Sequence, residues 1–201
     1  METPQAASTD LGHQAHAAAL LSLLGTKLPP IGVSFTESVP AGVPLSPQKG
    51  AELQGLVGTM VQPGYLRMEE VTQIPHRAPG SFRAAVYGPL AKLPLAPEVI
   101  LVRGSAKQLM LVAEAAQMAG LAGALPTMGR PTCAALPLAS QSGQLAMSLG
   151  CIGNRVYTGL ADDEAYVAIP GASLGKLLAQ LAGVAAANVE LEKFHQARAR
   201  A

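Results

Sequence analysis

The sequence predicts a single α+β domain, in which a mixed or antiparallel β-sheet is packed against helices. The main observation is a repeated strand–turn–helix pattern, first in PEVILVRGSAKQLMLVAEAAQMAG and again in DEAYVAIPGASLGKLLAQLAGVAA. Each copy begins with an acidic residue before an apolar strand, and each turn places a glycine and a serine near the helix start. Two such units predict pseudo-twofold character, with the helices covering one face of the sheet.

The two units account for four elements of the predicted fold. In chain order these are a strand at 99–103, a helix at 105–119, a strand at 165–169 and a long C-terminal helix from Ser173. Ser105 and Ser173 are candidate N-caps, because a serine side chain can accept a hydrogen bond from a free N–H of the first helical turn.

The N-terminal part of the chain predicts a helix after a short disordered segment. Residues 1–8 are expected to be disordered, and the helix is expected to run to Leu24. Its cap is predicted among three residues, Ser8, Thr9 and Asp10. Gly25 follows the last apolar residue and is expected to end the helix in the left-handed conformation.

The remaining segments predict strands joined by loops. Alternating residues favour strands at 31–36 and 83–88, separated by a Pro-rich loop at 37–48 and a short helix in AELQGLVGTMV. RPTCAALPLAS and LAMSLGCIGNRVYTG are expected to be antiparallel neighbouring strands. The domain is predicted to span 9–190, followed by a helical or frayed tail at 191–201.

The composition predicts a self-associating protein. Of the 201 residues, 49% are apolar and only 13% are charged, and the net charge is +1. A surface with so little charge favours a homodimer. Nucleic-acid binding is not expected, since it needs a basic face or aromatic stacking residues, and aromatics make up 3%.

The expected location is the cytoplasm, with no membrane attachment. The N-terminus has no basic region before its apolar run, unlike a signal peptide. The apolar tract LMLVAEAAQMAGLAGAL contains Glu114 and Gln117 and is too short and too polar for a membrane span. Two cysteines in a chain of this length do not form a disulfide framework.

The stretch LGCIGNR contains the leading candidates for chemistry. Gly150 and Gly153 allow a positive φ or a close approach to the backbone, and Cys151 lies between them. Arg155 would lower the pKa of a nearby thiol or hold an anion. The alternative is a structural turn with a buried thiol, in which Arg155 pairs with Asp162 or Asp163; of the two roles for Arg155, the glycines favour a pocket.

Other candidates lie outside that stretch. Cys133, on a neighbouring predicted strand, could approach Cys151, but the spacing lacks the C-x-x-C pattern of zinc or thioredoxin-like sites, and no metal is predicted. His76 in QIPHRAPG is a possible general base, with a solvated loop histidine as the alternative. Tyr157 is grouped with the candidate cofactor-binding residues.

Three segments carry a resemblance to a known family: PEVILVRGSAKQLMLVAEAA, GRPTCAALPLA and LGCIGNRVYTGLADDEAYVAIPG. They resemble the uncharacterised prokaryotic family called Domain of Unknown Function 169, from about PPIGVSF to the helix at Ser173. The resemblance implies that Cys133, Cys151, Gly153 and Arg155 are recurring positions of the family. A further cysteine, which members often carry in the segment matching LVGTMVQPGYLR, is missing here. The resemblance implies no activity.

Three functions are compatible with these observations. The first is a cytoplasmic protein that binds a small ligand, or a flat apolar cofactor such as haem or flavin, near Arg155 and the Cys151 turn. The second is a thiol-dependent enzyme with Cys151 as nucleophile and His76 as base. The third is a dimeric scaffold without a small ligand.

Overall fold

The computed structural model describes residues 4–44, 82–121, 127–128, 132–150 and 152–200. Elements are numbered over those residues. The helices are α1 (Pro4–Leu24), α2 (Ala106–Met118), α3 (Thr132–Ser142), α4 (Ile152–Thr158) and α5 (Leu174–Ala199). The strands are β1 (Ile31–Thr36), β2 (Ala84–Pro89), β3 (Val99–Ser105), β4 (Thr127–Met128), β5 (Ala146–Ser148) and β6 (Glu164–Pro170). Short 3₁₀ turns occupy Leu90–Lys92 and Gly171–Ser173.

The six described strands form one mixed sheet in the order β2-β1-β3-β6-β5-β4. β4 and β5 are parallel, and every other neighbouring pair is antiparallel. The arrangement confirms the predicted α+β class with helices packed on a sheet and a long C-terminal helix.

The central pair, β3 and β6, divides the core into two layers. Side chains alternate across a strand, so successive residues point to opposite faces. Ile100 pairs with Ile169 and both enter the first layer, whereas Leu101 pairs with Ala168 and both enter the second. Both strands are therefore buried on both sides.

Helices cover both faces of the sheet, and the prediction of a single covered face is wrong. The first layer is closed by α1, α2 and α5. The second is closed in part by α3, which buries Ala135, Leu136 and Ala139 against the other side. The error arose because the segment that forms α3 was expected to be a strand.

The first strand–turn–helix unit follows its prediction closely. Ser105 ends β3 and caps α2, since its side chain accepts a hydrogen bond from the Gln108 N–H while the Gln108 side chain accepts one from the Ser105 N–H. Such a reciprocal capping box satisfies two helix-terminal donors. In the second unit, strand and helix are also confirmed, but Ser173 makes no capping hydrogen bond and the cap predicted there is wrong.

The N-terminal helix begins earlier than predicted. α1 starts at Pro4, so residues 4–8 are helical where disorder was expected, and the predicted capping residues lie inside the helix. Its end is confirmed: Gly25 has φ 62°, and its N–H donates to the Leu21 carbonyl at 2.9 Å. The strands predicted at 31–36 and 83–88 are β1 and β2.

The two strands predicted around the cysteines are largely wrong. RPTCAALPLAS contributes α3, which contains Pro137 in its interior. A proline there lacks the N–H for a helical hydrogen bond, which is why the segment did not indicate a helix. In the second segment only β5 is a strand, and α4 follows it. The short helix predicted in AELQGLVGTMV and the end of the loop 37–48 lie outside the described residues.

Helix α5 begins in the core and runs to Ala199. Its buried residues are spaced three and four apart, as expected for a helix with one face on the domain: Leu174, Leu177, Leu181 and Val184. The stretch Gly171–Ala199 is long and apolar enough to cross a membrane, by length and composition alone. Leu177 and Leu181 are completely buried in the first core layer, whereas only 22% of the most apolar part of this stretch is buried.

The junction between β6 and α5 depends on Gly171. Its N–H donates to the Glu98 carbonyl at 2.8 Å, which fixes the end of β6 against the start of β3. A Cβ atom at Gly171 would lie 1.8 Å from the Pro97 carbonyl oxygen, so no side chain fits without displacing backbone. Glycine is therefore required at this position because a side chain has no room there.

We expect Gly171→Ala to lower the free energy of unfolding by about 3 kcal/mol, because backbone must move to relieve the overlap. Denaturant unfolding followed by circular dichroism measures the change. Gly175→Ala is the matched control in α5: nothing lies within 4 Å of its added Cβ. That control should be neutral or stabilising by up to about 1 kcal/mol. Equal stability of the two variants would contradict the packing described here.

Candidate functional site

Two arginines hold the chain between α4 and β6. The Arg103 side chain, on the same face of β3 as Leu101, is 14% exposed. Its guanidinium donates to the Thr158 carbonyl at 3.0 Å, to the Gly159 carbonyl and, through Nε at 2.8 Å, to the Glu164 carboxylate. A planar guanidinium has several donors in fixed directions, so one side chain can fix several acceptors.

Arg155, on α4, binds the same segment from the other side. Its Nη1 lies 2.6 Å from the Ala161 carbonyl oxygen and 3.5 Å from that of Leu160, and its Nη2 lies 3.2 Å from that of Leu149. Arg155 Nη1 also lies 3.4 Å from an oxygen of Asp162, whose side chain is fully exposed. The arginine therefore joins the residues before α4 to the residues after it.

This geometry contains one of the two contacts predicted for Arg155. The sequence favoured a pocket, with an ion pair to Asp162 or Asp163 as the alternative. The structure shows the pair with Asp162 together with main-chain contacts. Neighbouring carbonyl oxygens accept hydrogen bonds from both of its Nη atoms, and a role of Arg155 in binding a ligand stays a prediction.

The turn before α4 is built around a buried serine and a left-handed glycine. Ser148 is completely buried at the end of β5, and its hydroxyl accepts a hydrogen bond from the Gly150 N–H at 3.0 Å. Gly150 has the positive φ that the sequence allowed for it, 77°. Gly153, by contrast, lies inside α4, so the turn is shorter than predicted.

Several of the predicted site residues, or their side chains, fall outside the part of the chain that the structure describes. Cys151 and His76 lie outside them. Cys133 lies on α3 and not on the strand predicted for it, and Tyr157 lies on α4; the side chains of both fall outside the description. The proposed roles of these residues remain predictions.

Glu164 is the negative partner of this region. The hydrogen bond from Arg103, followed by one from the Ala161 N–H, lowers the pKa of the Glu164 carboxyl below its usual range. Burial opposes the shift but is outweighed. The carboxylate is therefore stabilised in its charged form and closes the loop onto the start of β6.

An apolar surface projects from the segment that the arginines hold. Leu149, Ile152 and Val156 have 50, 74 and 70% of their surface exposed. The spacing of four places Ile152 and Val156 on one side of α4. We call these three residues the 149–156 apolar surface. Cys151 lies within it in the sequence, between Leu149 and Ile152.

Sequence reasoning missed Arg103 and Glu164, which do more than Asp162 to fix the loop. Arg103 was visible as a single charged residue in the apolar strand VILVRGS. Glu164 appeared only as the end of an acidic turn. Their partnership depends on the β3–β6 register, in which Arg103 stands opposite Tyr166 and Ser105 opposite Glu164, and local patterns do not contain that register.

The described residues supply no ready metal site. Among them, no three side chains of the His, Cys, Asp and Glu types gather closely enough to hold a metal ion.

The fold and the loop contacts define an α+β protein in which two arginines hold the loop between α4 and β6. Residues 66–180, more than half of the chain, match the model of Domain of Unknown Function 169, described as Uncharacterised ArCR, and the protein belongs to that family. The match includes β2 to β6 and the start of α5, but begins later than the resemblance at PPIGVSF suggested. No curated protein and no solved structure matches the chain.

We expect Arg155→Ala to lower the free energy of unfolding by about 1–3 kcal/mol, because the guanidinium satisfies several main-chain carbonyls. Asp162→Ala should cost only about 0–1 kcal/mol, because that ion pair is exposed. Thermal and denaturant unfolding of the two variants test the difference. An equal cost for both would show that the ion pair, and not the carbonyl contacts, gives Arg155 its structural role.

Glu164→Gln should destabilise the protein at neutral pH by about 1–3 kcal/mol, the usual contribution of a charge-assisted hydrogen bond. Because the folded-state pKa of Glu164 is lowered, its contribution is present above the ordinary glutamate pKa of about 4.3 and disappears as pH falls through the folded value. The variant should therefore lose less stability than the wild type on acidification.

Unfolding free energies measured from pH 7 to pH 3 provide the test. Glu192→Gln, which alters the exposed pair with Lys107, is a control expected to cost only about 0–1 kcal/mol at pH 7. An unchanged acid dependence in Glu164→Gln would contradict the contribution assigned to the Arg103 contact.

Proposed function

We propose that the protein is a cytoplasmic binding protein for a small apolar ligand or cofactor, held against the 149–156 apolar surface. Haem and flavin are the cofactor classes to test first. The observation that carries the proposal is the exposure of three large apolar side chains next to backbone carbonyls that Arg103 and Arg155 hold. Exposed apolar groups of this kind are costly in water and commonly mark binding sites.

The fixed backbone supports a binding role. Arg103 and Arg155 tie the segments on both sides of α4 to the sheet and to each other. A surface whose position is already determined loses little conformational entropy when a ligand binds, and such preorganisation increases affinity.

The position of Cys151 gives the proposal a chemical readout. It is placed in the sequence between two residues of the apolar surface. A cysteine thiolate is one of the axial ligands that proteins use for haem iron, and its ligation changes the absorption spectrum. If the ligand is haem, Cys151→Ala should alter the Soret band; if it is a flavin, the same substitution should leave the flavin spectrum unchanged.

The experiment is titration of the purified protein with ferric haem and, separately, with flavin mononucleotide, followed by absorbance and fluorescence quenching. For whichever probe binds, the double variant Ile152→Gln/Val156→Gln should raise the Kd at least tenfold. The reason is that two apolar contacts are replaced by hydrated amides. Both side chains are exposed, so the fold should be retained, as circular dichroism can verify.

Val189→Gln is the matched control, since Val189 is an exposed apolar residue of α5 outside the proposed surface. It should leave the Kd within twofold of the wild-type value. Failure of both probes to bind, or an equal loss of affinity in the control, would overturn the proposal and favour general surface hydrophobicity.

A further inference from the structure

The last part of α5 leaves the domain with an apolar stripe on its surface. The core-facing residues end at Val184, and every described residue from 189 onwards is exposed. Leu191 and Phe194 keep 52 and 55% of their surface exposed. With Arg198 they follow a spacing of three and four, which places them on one face of the helix. We call these three residues, together with Glu190 one turn before Phe194, the α5 stripe.

Charge is distributed unevenly on the two sides of Phe194. Glu190 and Glu192 precede it, whereas Arg198 and Arg200 follow it. Glu190 bonds Lys193 at 2.7 Å, but both side chains are largely exposed, so this pair contributes little. Arg198 lies over the Phe194 ring at 5.7 Å from its centre. The stripe thus has an acidic end, an aromatic centre and a basic end.

We propose that the α5 stripes of two copies of this chain pack antiparallel about a twofold axis at Phe194, forming a homodimer. The inference is independent of the proposed ligand site. Glu190 and Arg198 are each four residues from Phe194, on opposite sides. An antiparallel pair centred on Phe194 therefore places Glu190 of each copy opposite Arg198 of the other, and buries Leu191 and Phe194 between the helices.

Self-complementarity is what identifies a second copy as the partner. A twofold interface uses the same patch on both chains, so one patch must carry both charge signs at matched distances from the axis. The α5 stripe meets that condition. An anionic membrane fits less well, because Glu190 lies one turn from Phe194 on the same side of the helix and would be repelled.

Sedimentation equilibrium of the full chain, from low to high micromolar concentration, measures the association. The wild type should dimerise, and Phe194→Glu should weaken dimerisation at least tenfold by placing like charges at the axis. Val189→Glu is the matched control: Val189 is similarly exposed, and lies five residues before Phe194, on another face of the same helix. Its dimerisation constant should remain within twofold of the wild-type value.

Charge reversal tests the antiparallel register. Glu190→Arg alone places arginine opposite arginine and should weaken the dimer, whereas Glu190→Arg combined with Arg198→Glu restores opposite charges and should recover it. A monomeric wild type, equal effects of the Phe194 and Val189 variants, or no recovery in the double reversal would overturn the proposal. If the protein binds haem or flavin but does not dimerise, the proposed function stands and the proposed dimer is wrong. If it dimerises but binds neither probe, the proposed dimer stands and the proposed function is wrong.

Discussion

The antiparallel pairing of β3 with β6 is the constraint on which the other elements depend. Seven residue pairs join the two strands, from Val99 opposite Pro170 to Ser105 opposite Glu164. Because side chains alternate, this one ladder supplies the centre of both core layers. A shift by one residue would exchange the two layers, so burial on both faces specifies the register strongly. The helices then pack on positions that the ladder has already fixed.

The same register determines the shape of the candidate site. It places Arg103 on the second-layer face beyond Leu101, where apolar packing gives way to the loop before β6. There the arginine meets main-chain carbonyls and Glu164 instead of a second apolar strand. Arg155 adds the link to the start of α4. The arginines thus hold residues on both sides of α4, and Leu149, Ile152 and Val156 are exposed beside these contacts.

The sequence predicted elements whose signals are local. Ser105 capped α2 as expected because a capping box lies within four residues, and Gly25 ended α1 because a left-handed terminus favours glycine. α3 was missed since Pro137 opposes a helix locally, whereas burial of its apolar face against the sheet favours one. The Arg103–Glu164 pair was missed because it joins residues brought together only by strand register. The candidate site is of this second kind, so the sequence identified its neighbourhood and not its contacts.

Helix α5 shows a further limit of periodicity. The spacing that runs through Leu177, Leu181 and Val184 continues through Asn188 to Leu191 without interruption in the sequence. Asn188 marks the change in surroundings: its amide donates to the Glu114 carboxylate at 2.9 Å, so the helix leaves the apolar core through a polar contact with α2. Beyond Asn188, the side chains that continue this spacing are exposed and do not contact the core. One helical face with a constant apolar period is therefore buried in its first half and exposed in its last part. Periodicity alone does not distinguish a face that packs within one chain from a face available to pack between two chains.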